Sequence, residues 1–265
     1  MQCPKCAHEQ PDHHAICGRC GLVFEKYWKY HPRPGEAPPP PVPPPRSPSL
    51  ARPNRRQPGG ADDGGFAPFG PRLRALLLPP VTNVNPFALT ARAGLWLLLV
   101  IWGLSMIGSS VASNAVGESF LHLVNLVFHE AGHVIFMPFG AFIHSLGGTL
   151  GQLLMPLICM LVLLLQTRDP FGAAVALWWF GQNFLDIAPY INDARAGVLP
   201  LLGGNTGQTS PYGFHDWEFL LTESGLLHLD HALAQASHNL GSLIMLAALG
   251  WGLLLLWREF QRVRG

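Results

Sequence analysis

His129, Glu130 and His133 have the residue types and the spacing to hold a metal ion and move a proton. They form H-E-x-x-H within Gly117 to Gly140, GESFLHLVNLVFHEAGHVIFMPFG. On a helix this spacing puts both imidazoles on one face with the glutamate beside them. Two neutral imidazoles at i and i+4 can share one Zn²⁺, and the carboxylate can take a proton from water that the metal activates. The surrounding stretch is apolar enough to lie in a bilayer, where ionisable residues are costly and mark function. Glu118, His122, Asn125, His129 and His133 follow at steps of three or four, so one polar face runs along an otherwise oily helix. His122 and Asn125 on that face read as packing residues, with support of the ligands or water access as the alternative.

A second set of candidate ligands opens the chain. Cys3-Pro4-Lys5-Cys6 and Cys17-Gly18-Arg19-Cys20 are two C-x-x-C knuckles separated by a short loop. Four thiolates satisfy tetrahedral Zn²⁺ and leave no open position, so this site is structural and its segment serves recognition or regulation. In a reducing compartment the spacing favours metal over disulfides. His8, His13 and His14 lie between the knuckles as surface residues or competing ligands. Cys159, alone in an apolar stretch, reads as a small buried hydrophobe.

Two histidines leave a catalytic-type zinc site one protein ligand short. A later apolar stretch, WWFGQNFLDIAPYINDARAG, puts Gln182, Asn183, Asp186 and Tyr190 on one helical face. At about 1.5 Å per residue, Asp186 reaches the depth of His133, whereas Asp193 lies some 10 Å further on, past Pro189. Asp186 is the candidate by depth and Asp193 the reserve, with surface pairing to Arg195 as its other role. His215-Asp216-Trp217 offers metal-compatible residue types far from the motif in sequence, and reads first as a capped helix start with an interfacial tryptophan, with a metal role as the lesser alternative. His228, His231 and His238 read as a polar face of the same region.

The elements that must position these residues follow from composition. Nearly half of the residues are apolar, 12% are charged, and the formal net charge is +1, so the balance leans to a membrane protein and offers no basic body for nucleic acid. The chain reads as an all-α polytopic membrane protein with a small N-terminal zinc ribbon. Residues 1–30 are the ribbon, 31–74 a Pro- and Arg-rich linker, and 75–265 the membrane domain. About five spans are expected, near Ala91 to Ser113, Gly117 to Gly140, Thr149 to Gln166, Phe171 to Tyr190 and Leu240 to Trp257. The basic linker and the lack of a secretory signal put the N-terminus in the cytosol, with the Gly140 to Thr149 loop on the same side. Five crossings would then leave Arg258, Arg262 and Arg264 outside, against the positive-inside rule.

A transmembrane His129-Glu130-Ala131-Gly132-His133, followed by a helix with an Asn, an Asp and a Pro, resembles the site-2 protease family of intramembrane zinc metalloproteases. The likeness covers about Gly117 to Trp257 and departs from the family's N-x-x-P-x-x-x-x-D-G pattern: Asp186 stands in the proline's place and alanine follows Asp193. The first segment is similar to short zinc ribbons at the front of bacterial membrane proteins, which implies a bacterial inner membrane. The resemblance implies hydrolysis of membrane-associated polypeptides, with Glu130 as general base, Asn183 as a donor to the carbonyl or oxyanion (or a helix–helix hydrogen bond), and Asp186 or Asp193 as third ligand. The implied partners are a peptide substrate, lipid and a protein that reads the ribbon. Two other readings stand beside it. One is a membrane-associated H-E-x-x-H peptidase whose third ligand is a downstream glutamate, Glu218 or Glu223. The other is a non-catalytic adaptor that holds metal structurally.

Overall fold

The structure is a computed structural model that describes residues 1–30 and 69–264. It divides into two compact units, residues 1–63 and 64–265. The proline run Pro38 to Pro48 and most of the expected linker lie outside the described residues. The linker's last residues belong to a helix, α2 (Phe69–Leu77).

In the first unit each C-x-x-C knuckle is one tight turn. Cys3 N–H donates to His8 O (2.9 Å) and Cys17 N–H to Leu22 O (2.9 Å). The residue after each second cysteine is left-handed, Ala7 at φ 56° and Gly21 at φ 68°; glycine takes this conformation freely, whereas alanine is strained there. A short helix, α1 (Phe24–Tyr30), closes the unit, with buried Phe24 packed on Cys3 and Cys17.

Helix α3 (Pro86–Ile107) begins cleanly because Asn85 Oδ1 accepts from Phe87 N–H (3.0 Å) and Pro86 fills the first turn. Leu97, Leu98, Ile101 and Leu104 stay exposed on it, as lipid-facing residues must. It packs against the long last helix, α8 (Asp230–Arg264), where Trp96 Nε1 donates to Leu249 O at 2.9 Å. The motif helix α4 (Phe120–Phe136) ends in a 3₁₀ turn, Met137–Phe139, and α5 (Ala141–Leu165) starts immediately after Gly140. The expected Gly140 to Thr149 loop is therefore absent: the third helix starts eight residues early, and Gly147, Gly148 and Gly151 lie inside it. They let α4 approach closely, since a Cβ on Gly151 would fall 2.8 Å from Gly132 Cα.

Helix α6 (Pro170–Asn192) is the innermost helix, packed along α8 and α5. A Cβ on Gly181 would come within 2.8 Å of the Gly241 carbonyl of α8. Among the described residues four helical segments are long and apolar enough to cross a membrane: 86–107, 120–139, 141–165 and 227–264. The stretch expected as the fourth of five spans, α6, is not among them. It is long enough, but Gln182, Asn183 and Asp186 lower its hydropathy, and its surroundings are protein rather than lipid.

One end of the bundle gathers the start of α3, the α5–α6 turn and the end of α8 around a common cavity. At the other end Asn192 Oδ1 meets His231 Nδ1 (2.6 Å), and the chain passes through residues 193–215 to α7 (Asp216–Glu223). Asp193 pins that passage. Its carboxylate accepts from Val198 N–H (3.0 Å) and Leu199 N–H (2.9 Å), and His215 Nε2 lies 3.3 Å away. The expected Asp193–Arg195 surface pair does not form; Arg195 binds Asp230 instead, at 2.6 Å.

Candidate metal centre

Both motif histidines are oriented through their Nδ1 atoms. His129 Nδ1 lies 2.7 Å from Gln152 Oε1 and His133 Nδ1 lies 2.8 Å from the His144 carbonyl, both partners on α5. Oxygens of these kinds only accept, so each Nδ1 carries a hydrogen and each Nε2 keeps its lone pair for another partner. That partner is shared: Asp216 Oδ2 stands 3.1 Å from His129 Nε2 and 3.2 Å from His133 Nε2. Two imidazole nitrogens and a carboxylate oxygen that face one another are a donor set that could hold one cation. The separations suit one: arms of about 2.0–2.1 Å to Zn²⁺ at the tetrahedral angle put ligand atoms about 3.3 Å apart. Ligand atoms of His129, His133 and Asp216 all fall within 4.8 Å of one another.

Asp216 is held as firmly as the imidazoles. Ser145 Oγ donates to its Oδ1 (2.9 Å), and its own N–H donates to Tyr190 Oη (3.0 Å). It sits in the first turn of α7, where the helix dipole favours an anion. Burial works against its charge, yet the His129 and His133 imidazoles hold its carboxyl well below the usual carboxylate range. His215 caps α7 by accepting from Glu218 N–H at 3.2 Å, and burial pushes its imidazole below its ordinary value.

Neither sequence-predicted third ligand joins this group. Asp186 lies beside the same cavity, but its oxygens are satisfied by His122 Nδ1 (3.0 Å), Asn125 Nδ2 (3.0 Å) and Gln152 Nε2 (3.5 Å). Its function in the geometry is to orient Gln152 and, through it, His129. Asp193 is the loop pin described above. Asn183 is fully buried and does not line the cavity; its Nδ2 donates to Trp179 O (3.0 Å) and its Oδ1 accepts from Gln152 (3.2 Å). It holds Gln152 rather than facing a substrate. Asn125, expected as a packing residue, is buried between Gln182, Asp186 and Trp179.

The cavity at this centre measures about 700 Å³. Glu130 lines it and makes no hydrogen bond among the described residues, which leaves its carboxylate free to act on a molecule in the cavity. Leu123, Leu126 and Ile187 make an apolar wall, and Leu201, Leu202 and Phe214 come from the 193–215 passage. Sequence reasoning set Asp216 aside as a helix cap, and Gln152 and His144 gave no signal beyond being polar in an apolar helix.

In the first unit Cys3, Cys6, Cys17 and Cys20 form a second ligand group. Their sulfurs lie 3.7 Å apart across Cys3–Cys20 and Cys6–Cys17, and all four are free thiols. A disulfide would need about 2.05 Å, whereas Zn–S arms of about 2.3 Å give an edge of about 3.8 Å. The residues thus fit a four-thiolate metal. His8, His13 and His14 stand outside the group.

Compared with family models, curated proteins and solved structures, the chain matches none.

Proposed function

We propose that the membrane unit is a zinc-dependent endopeptidase that hydrolyses membrane-associated polypeptides, and that the ribbon is an accessory zinc module. The observation that carries the reading is the convergence of His129, His133 and Asp216 on a cavity that Glu130 also lines. A zinc ion bound there supplies Lewis-acid polarisation of a peptide carbonyl and makes water acidic near neutral pH. Glu130 takes the proton from that water and returns it to the departing amine. Gln152 and the His144 carbonyl hold the imidazoles in the tautomer that leaves Nε2 available. The third ligand comes from α7, the segment where the other membrane-associated H-E-x-x-H group would use Glu218 or Glu223. The ligand set therefore departs from the site-2 pattern in the source of its carboxylate.

The positive-inside rule supports an orientation. Arg92, Arg168, Arg258, Arg262 and Arg264 fall at the end of the bundle where α3 begins, and Arg195 is the basic residue of the opposite connections. The arginine-rich end then faces the cytosol and the metal centre lies towards the other face.

The test is Glu130→Gln in the full chain, reconstituted in liposomes and assayed on fluorogenic casein and on a membrane-anchored reporter. The proposal expects two zinc ions per chain in both proteins and loss of cleavage in the variant. Unchanged cleavage, or no cleavage by the wild type on any membrane-anchored peptide offered, would leave the adaptor reading in its place.

A further inference from the structure

The cavity at the opposite end of the bundle, about 400 Å³, has charged walls from three segments: Arg92 of α3, Arg168 and Asp169 of the α5–α6 turn, and Arg258 and Glu259 of α8. Both acids are already engaged. Arg92 lies 2.7 Å from Glu259 and 3.7 Å from Asp169. The other two arginines have no ion-pair partner among the described residues, and Arg258 Nη1 is buried with no acceptor. Three guanidinium groups against two carboxylates leave the walls with a surplus positive charge, carried by Arg168 and Arg258. A buried guanidinium N–H without an acceptor is costly, and the group that best relieves it is an oxyanion, which guanidinium binds with two parallel hydrogen bonds.

The level of the cavity limits where that oxyanion comes from. Trp257, next to Arg258, is 57% exposed, and tryptophans on the outside of a membrane helix mark the headgroup boundary. Leu255 and Phe171 add apolar wall beside the arginines. Basic pockets between membrane helices at this level hold lipid headgroups.

We propose that this cavity binds the phosphate of an anionic phospholipid, with Arg168 and Arg258 as the donors. A zwitterionic lipid is disfavoured, because it brings no net negative charge to walls whose three guanidinium groups outnumber their two carboxylates. The site is independent of the metal centre and does not rest on the peptidase reading.

The experiment uses the full chain in a neutral detergent, with binding read by native mass spectrometry and by thermal shift. The probes are short-chain phosphatidylglycerol, short-chain phosphatidylcholine and inorganic phosphate. Phosphatidylglycerol should bind and stabilise, and added salt should weaken it. Arg258→Gln and the Arg168→Gln, Arg258→Gln double variant should bind it about tenfold more weakly or worse, with circular dichroism and elution volume unchanged. Arg168→Gln alone, an exposed change that leaves the core untouched, should show a smaller loss in the same direction. Equal binding of the two lipids, undiminished binding by the double variant, or full competition by equimolar inorganic phosphate would overturn the proposal.

Discussion

Replacing Asp216 with asparagine keeps the side-chain shape and removes the charge that faces both imidazoles. The amide can still accept from Ser145, and the Asp216 N–H to Tyr190 bond is unaffected. What disappears is one charged acceptor shared by two nitrogens, at 3.1 and 3.2 Å. Removing one charged partner from such a buried cluster costs about 3–5 kcal/mol, or roughly 10²- to 10⁴-fold in metal affinity. Gln152→Leu, which frees His129 without removing a ligand, should cost about 10- to 100-fold. The assay is zinc per full chain after dialysis against chelators of rising strength. Asp216→Asn should fall from two zinc ions to one at a chelator strength that leaves the wild type at two. Asp186→Asn should keep two. The reverse pattern, with Asp186→Asn losing a zinc and Asp216→Asn keeping both, would refute the ligand set.

Gly148→Ala should empty the membrane site, because its Cβ would meet both motif imidazoles, His133 Nε2 at 2.6 Å; Gly94→Ala, with open space around it, should leave the zinc count unchanged. In the ribbon, Gly21→Ala should weaken chelator resistance by about 1 kcal/mol and Ala7→Gly should strengthen it or leave it unchanged, since both positions are left-handed; strengthening by Gly21→Ala, or weakening by Ala7→Gly, would count against the strain argument. His215 predicts an acid-sensitive α7. Its folded pKa is lowered, so the unfolded chain binds the extra proton between the two values; stability is full above about pH 6.5 and falls as pH drops below it. Hydrogen exchange of the α7 amides should quicken through that window, and His215→Asn, which keeps a capping acceptor, should remove the acid dependence.

What the residues determined on their own was local. The H-E-x-x-H spacing fixes His129, Glu130 and His133 on one helical face whatever surrounds them, and paired C-x-x-C turns bring four sulfurs together within thirty residues. Apolar runs of spanning length likewise announce α3, α4, α5 and α8. The third ligand was not local. A depth argument counts residues along one helix and favours Asp186, on the premise that a carboxylate at that depth needs a cation. The fold meets that cost with hydrogen bonds from Asn125 and Gln152 and with His122, which come from two other helices. Asp216 reaches His129 across 87 residues of sequence, through a passage pinned by Asp193 and capped by His215, and no periodicity encodes such a return. Helix α6 divides in the same way. Gln182, Asn183 and Asp186 take its hydropathy below that of the four spanning segments, yet it runs from the α5–α6 turn at one end of the bundle to Asn192 at the other, enclosed by α5 and α8.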